Sequence, residues 1–244
     1  MKIIKYLIIC VVLFASCDAS KNYTIYLAGD STMSEKRADR RPETGWGMEF
    51  QDFFNDNVTI ANHAKNGRST RTFIEEGRWD SIINLLQKDD YVLIQFGHND
   101  ESKKKVKRYT SPEDYYKNLC RFVDETRAKE ATPILLTPVM RRRFDENGKF
   151  YDVHGVYPDM VRRAAKDKNA KLIDMHKTTG EYLSKLGEQE SKSVFMIADS
   201  AVWENYPNGI NDNTHFNVKG AKEIASLTVK EIIKIKLDLI KDLK

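Results

Sequence analysis

Ser31 closes an apolar run, in Gly29-Asp30-Ser31-Thr32, and His215 stands far along the chain, three positions after an aspartate, in Asp212-Asn213-Thr214-His215. A serine hydroxyl attacks a carbonyl only when a base takes its proton, and an imidazole is a better base when a carboxylate holds its tautomer. Ser31 is therefore the candidate nucleophile, His215 the base and Asp212 its orienting partner. Acyl transfer also needs donors for the developing oxyanion. Gly67, in Asn66-Gly67-Arg68-Ser69, carries an N–H that can be approached closely. Asn99, in Gly97-His98-Asn99-Asp100, offers a side-chain amide, and the Ser31 N–H is a third donor.

Each of these residues has an ordinary reading beside the chemical one. A serine after a strand often caps a helix, and glycine or asparagine often makes a turn. Asp30 reads as a carboxylate that bonds nearby backbone N–H groups. His63, His98, His154 and His176 compete with His215, and Asp152 and Asp174 precede two of them. His215 is set apart by its place, in a loop directly before the terminal helix, where a short turn brings Asp212 and His215 to one rim.

The elements that must hold these groups follow from periodicity and caps. Strands are expected over 23–28, 58–61, 91–96, 133–137 and 171–173, and helices over 46–54, 73–86, 112–129, 158–168, 178–186 and 218–240. Ser111 followed by Pro112 and Glu113 is a helix start, Asn217 is a cap, and Gly187 closes a helix. Ser31 is expected at a strand-to-helix turn. The strands are apolar on both faces and alternate with helices, which predicts a parallel sheet covered on both sides. Ligands of such sheets bind beyond the carboxyl ends of the strands, where Gly29, His63 and Gly97 fall.

The chain has 244 residues. Residues 1–17 read as a leader: Lys2 and Lys5 precede an uncharged, largely apolar run over 6–15, too short for a permanent span. Ala15-Ser16-Cys17 resembles a bacterial lipobox with Cys17 as the lipidated residue, against the alternative of an ordinary secretory peptide. Either way the protein is expected to be exported, as a periplasmic or cell-surface lipoprotein in the first case, with the membrane met only through a lipid on Cys17. Residues 18–244 are then a single domain of 227 residues, long enough for a sizeable core. Without Lys2 and Lys5 the lysines and arginines number 38 against 36 aspartates and glutamates, which gives no bias toward nucleic acid. Cys120 is the one cysteine beyond the leader, so no internal disulfide is expected. Gly-x-Ser-x-Gly, Walker-type phosphate loops and His-Glu-x-x-His are absent.

The blocks Gly29-Asp30-Ser31-Thr32, Gly67, Gly97-His98-Asn99-Asp100 and Asp212-x-x-His215, in this order, resemble the SGNH (GDSL-type) hydrolases. Gly45-Trp46-Gly47, the stretch Asn62-His63-Ala64-Lys65-Asn66-Gly67-Arg68-Ser69, and Phe216 after His215 look like the rhamnogalacturonan acetylesterases within that superfamily. The resemblance implies a three-layer α/β/α fold with a central parallel sheet, the flavodoxin-like SGNH arrangement. It implies Ser31, Asp212 and His215 as the triad, and Ser31 N–H, Gly67 N–H and the Asn99 amide as the oxyanion hole. No metal or cofactor is implied. Thr32 stands where lipolytic members often carry leucine, which weighs against a lipase.

Two basic clusters follow rim-forming strands: Lys103, Lys104, Lys105, Lys107 and Arg108, then Arg141, Arg142 and Arg143. They suit a polymer bearing carboxylates, which arginine grips in bidentate fashion, and the ordinary reading of any single one of them is solvated surface charge. Arg68, Arg141, Arg142 and Arg143 are the candidate substrate contacts, with Arg71, Trp46 and Trp203 as further sugar contacts. The expected partner is an acetylated polysaccharide or oligosaccharide met by a monomer. The competing readings are an acetylxylan or general SGNH esterase, a phospholipase, and a glycan-binding lipoprotein without catalysis.

Overall fold

Tyr-Thr-Ile-Tyr-Leu-Ala-Gly is apolar and β-prone, and it forms the strand β1 (Tyr23–Gly29) at the heart of a sheet. The computed structural model describes residues 22–244, so the expected leader and Cys17 lie outside the described residues. The other strands of the sheet are β2 (Val58–Asn62), β3 (Tyr91–Gln95), β4 (Thr132–Leu136) and β5 (Lys171–Ile173). Their order is β2-β1-β3-β4-β5, and every pairing is parallel. Strand order reverses at the β1–β3 step, which is the switch point where open α/β sheets bind ligands.

Side chains alternate across each strand, so the sheet separates two cores. Ile25, Leu27 and Leu93 pack on one face against Trp46, Phe50, Met175, Leu183 and Ile224. Tyr26, Ala28, Val92 and Ile94 pack on the other against Phe73, Trp79, Leu119, Phe122 and Val161. The second face is covered by helices α1 (Thr70–Glu75), α2 (Arg78–Leu85), α3 (Pro112–Ala128) and α4 (Tyr157–Asp167). The first is covered by α5 (Met175–Ser191) and α6 (Val218–Lys234) with the short 3-10 turns Trp46–Met48 and Phe50–Phe53. This is the three-layer α/β/α arrangement with a parallel sheet.

Four local expectations are corrected. The helix expected over 73–86 is divided, because Gly77 takes a left-handed conformation (φ 66°) between α1 and α2. The helix expected over 46–54 is the pair of 3-10 turns. No helix follows Ser31: the chain turns over 31–33, with the Met33 and Ser34 N–H groups both bonded to the Asp30 carbonyl. Finally, Asp212 and His215 do not lie in a loop. They belong to strand β7 (Ile210–Phe216), which pairs antiparallel with β6 (Phe195–Ala198) outside the main sheet. The terminal helix α6 starts as expected, with Asn217 accepting from the Gly220 N–H at 3.0 Å, but ends at Lys234.

Candidate active site

Ser31 stands just past the carboxyl end of β1, and the β6–β7 pair is held over that end. Thr44 donates its N–H to the Phe216 carbonyl at 2.9 Å, Arg142 donates its N–H to the Asn213 carbonyl at 2.9 Å, and Arg141 Nη1 donates to Thr214 Oγ1 at 2.6 Å. These ties bring His215 onto the serine. His215 Nε2 lies 2.8 Å from Ser31 Oγ, and Nδ1 lies 2.7 Å from Asp212 Oδ2. With Nδ1–H donated to the carboxylate, Nε2 is the bare nitrogen that accepts the serine proton.

Asp212 is itself held. Its Oδ1 accepts from the backbone N–H of Thr214 at 2.8 Å and of His215 at 3.1 Å. Burial alone would raise its pKa, but the His215 hydrogen bond and charge, with the two N–H groups, outweigh burial and bring it down to about 2. The carboxylate is therefore ionised wherever the base can work.

A buried polar chain supports the nucleophile from below. Trp46 Nε1 donates to Gln95 Oε1 at 2.9 Å, Gln95 Nε2 donates to Thr32 Oγ1 at 2.8 Å, and Thr32 Oγ1 donates to Asp30 Oδ1 at 2.8 Å. Asp30 Oδ1 also accepts the Thr32 N–H at 3.0 Å, and Oδ2 meets His98 Nδ1 at 3.1 Å. Burial opposes the Asp30 charge, yet His98 and the Thr32 donors prevail and bring its pKa to about 2. Burial holds His98 below the ordinary imidazole value, so the neutral ring donates to Asp30. Thr32 is thus a hydroxyl because this chain passes through it, and Trp46 is core rather than a sugar contact.

A second support was not legible in the sequence. The Lys36 side chain is fully buried, and Nζ donates to the Ser31 carbonyl at 2.5 Å and to Asn66 Oδ1 at 2.7 Å, while pairing with Glu43 at 2.9 Å. Lys36 and Glu43 sit in the charge-rich stretch 35–43, which reads as solvated surface. Their only signal was proximity to Ser31.

Ser31, Gly67, Asn99, Asp212 and His215 line one cavity of about 390 Å³, with Arg40, Glu43, Asn66, His98, Ser102, Lys105, Arg108, Arg141 and Thr214. Among the described residues, neither the Ser31 N–H nor the Gly67 N–H is taken by another group. Gly67 has φ 78°, which a side chain would strain, and a Cβ there would stand 3.1 Å from Arg108 Nη1. The Asn99 amide donates one hydrogen to the Arg68 carbonyl at 2.9 Å, and an amide nitrogen has a second to give. Three donors and a serine–histidine–aspartate line therefore share one cavity. The arrangement can attack an ester carbonyl and hold its oxyanion.

The four candidate substrate arginines divide. Arg141 lines the cavity, paired with Glu101 at 3.1 Å. Arg142 is buried instead, donating to Ser191, to Asn213 Oδ1 at 2.7 Å and to the Glu188 carbonyl, so it secures β7 and does not line the Ser31 cavity. Arg68 pairs with Glu76 and lines an adjoining cavity, and Arg143 lines neither cavity. Arg71 anchors the following loop by donating to the Val106 carbonyl at 2.7 Å. Arg40, Lys105 and Arg108 are the rim cations that the four candidates omitted.

The GDSL-like lipase/acylhydrolase family model matches residues 27–222. The chain is 41% identical over 219 residues to the rhamnogalacturonan acetylesterase RhgT of Bacillus subtilis, covering 90% of this chain and 93% of that one. It is 38% identical to the probable rhamnogalacturonan acetylesterase YesY of the same organism, over 88% of this chain and 94% of the other. Among solved structures, the YxiM protein of Bacillus subtilis superposes with TM-score 0.75 at 24% identity, covering 89% of this chain and 58% of that one. An acetyl-xylooligosaccharide esterase from Geobacillus superposes with TM-score 0.62 at 21% identity, over 87% of this chain and 94% of that one, a likeness of fold.

Proposed function

The chain belongs to the GDSL-like lipase/acylhydrolase family and is a carboxylic ester hydrolase, and on that premise we propose that it removes O-acetyl groups from a plant cell-wall polysaccharide, acetylated rhamnogalacturonan. The observation that carries the chemistry is His215 Nε2 at 2.8 Å from Ser31 Oγ with Nδ1 on Asp212. The likeness to the rhamnogalacturonan acetylesterase, 41% identical over nearly the whole of both chains, supports the substrate.

In the proposed reaction His215 Nε2 takes the Ser31 proton as Oγ bonds to the acetyl carbon. The carbonyl electrons move to oxygen, which the Ser31 and Gly67 N–H groups and the Asn99 amide receive. As the oxyanion collapses, the C–O bond to the sugar breaks and the sugar oxygen leaves with the proton from His215. A water then gives a proton to His215 and attacks the acetyl-enzyme, and acetate departs as Ser31 recovers its hydrogen. Asp212 stays ionised throughout and stabilises the imidazolium.

The test is acetate release from acetylated rhamnogalacturonan, from acetylxylan and from an aryl acetate, by the enzyme and by Ser31→Ala. Release from the pectic polymer that falls by about 10⁴-fold or more in the variant is the expected result. Preference for acetylxylan would move the assignment to a xylan esterase. Release that persists in Ser31→Ala would overturn the mechanism.

A further inference from the structure

The rim arginines differ in what neutralises them. Arg40 pairs with Glu43, Arg141 with Glu101 and Arg68 with Glu76. Arg108 makes no ion pair among the described residues. It uses Nη1 instead, donating to Asn99 Oδ1 at 2.8 Å and reaching the Gly67 carbonyl at 3.5 Å. Both neighbours carry proposed oxyanion donors. Arg108 also stands at a junction: the cavity of about 390 Å³ around Ser31 and an adjoining cavity of about 520 Å³ share Gly67, Lys105 and Arg108. The adjoining cavity is walled by the basic loop of Lys104, Lys105 and Lys107, with Glu76 already engaged by Arg68 and Arg78.

Resting on the esterase reading above, we propose that Arg108 is a positioning and specificity-determining residue that couples recognition of a substrate carboxylate to the oxyanion hole. A guanidinium has five N–H donors in a fixed fork. Nη1 turns the Asn99 amide so that its oxygen faces the arginine and its nitrogen faces the Arg68 carbonyl and the cavity. The Nε and Nη2 edge, which meets no carboxylate among the described residues, takes the carboxylate of a uronic-acid residue in bidentate fashion. The bound polymer then runs from the serine cavity into the adjoining basic one, past Lys105. The loop that carries Arg108 is fixed for this task by the Arg71 bond to the Val106 carbonyl and by the Arg108 N–H on the Lys105 carbonyl at 2.9 Å. An acidic sugar seated on Arg108 withdraws it from water and tightens its hold on Asn99, so recognition and oxyanion stabilisation rise together.

The experiment compares the enzyme, Arg108→Met and Arg108→Lys on an aryl acetate, on an acetylated rhamnogalacturonan oligosaccharide, and on the same oligosaccharide with its carboxylates amidated. On the aryl acetate, Arg108→Met lowers kcat about tenfold or more with KM little changed, because one oxyanion donor loses its orientation. Arg108→Lys recovers most of that kcat, since an ammonium still reaches Asn99 Oδ1. On the acidic oligosaccharide both variants raise KM about tenfold, because an ammonium lacks the bidentate fork. On the amidated oligosaccharide the three proteins share one KM. An unaltered kcat of Arg108→Met on the aryl acetate overturns the coupling. A wild-type KM that is the same for both oligosaccharides overturns the carboxylate contact while the esterase reading stands. Acetate release from the aryl ester alone overturns the polysaccharide reading and the carboxylate contact with it.

Discussion

Lys36 is a residue whose energetics one substitution lays open. Its ammonium is surrounded by the Ser31 carbonyl, Asn66 and Glu43, and both members of the ion pair are out of water. Burial pulls the Lys36 pKa down, while Glu43 pulls it back up. Removing one member of such a pair strands the other charge and costs about 3–5 kcal/mol. Lys36→Met should therefore lower stability by roughly 3 kcal/mol, since Arg40 still reaches Glu43. It should also lower kcat, because the Ser31 carbonyl and the Asn66-Gly67 turn lose their common tie. Adding Glu43→Gln should recover part of the stability and none of the kcat. Urea unfolding and steady-state kinetics on Lys36→Met, Glu43→Gln and the double variant check this, and a fully additive double-mutant cycle would contradict it.

At the scale of elements, the base-bearing strand depends on its junction with α6. Gly220 in the first turn of α6 lies so close to the Val194 carbonyl that a Cβ would stand 1.8 Å from it. No rotamer relieves a clash with backbone, so Gly220→Ala must push α6 from the turn Lys192–Val194. The expected cost is about 3 kcal/mol or more, read as a lowered denaturant midpoint, with activity falling because Phe216 and His215 move with the helix. The same elements mark where sequence reasoning succeeded and where it failed. Strands 23–28 and 91–96 were legible because their runs are largely apolar and mostly buried, and the edge strand 58–61, with Thr59 exposed, was legible from its β-branched Val-Thr-Ile. The Asn217 cap was legible because its chemistry is local. β7 was not: Ile-Asn-Asp-Asn-Thr-His-Phe has little β-propensity, and its strand state comes from pairing with β6 and from arginines distant in sequence. Ser31, Asp212 and His215 could be named because Gly-Asp-Ser-Thr, Gly67, Gly-His-Asn-Asp and Asp-x-x-His stand in the order of the SGNH hydrolases, whereas residue type alone left four other histidines in competition. The burial of Arg142 was not legible because Arg141 and Arg143 beside it made the whole run look like one basic rim cluster.

For the whole molecule, the buried carboxylates set opposed responses to pH. Asp30 and Asp212, both brought to about 2, contribute stability that is complete above about pH 4 and is lost as pH falls through 2. Asp100 works the other way. Burial raises its pKa to about 7, even though Thr70 donates to Oδ1 through its N–H at 2.9 Å and its hydroxyl at 2.6 Å. Its Oδ2 has no hydrogen-bond partner among the described residues, which suits the protonated acid. An unfolded chain ionises this group near its ordinary value, so stability should fall as pH rises from about 4 to 7. Asp100→Asn copies the neutral acid and should flatten that slope. Urea unfolding at pH 4.5 and 7.5 checks this, and an unchanged slope in the variant would refute it.

Tyr23, at the first residue of β1, donates to Asp242 Oδ2 at 2.8 Å, and the Lys244 N–H bonds the Phe53 carbonyl at 3.0 Å. Both ends of the described chain therefore meet at the amino pole of the sheet. Ser31 stands past the opposite pole, a strand length of roughly 20 Å away. A tether attached at either end, whether a linker, a resin or a fused module, holds the molecule with its reactive rim turned outward. An immobilised form should accordingly work on insoluble material as freely as the untethered protein does.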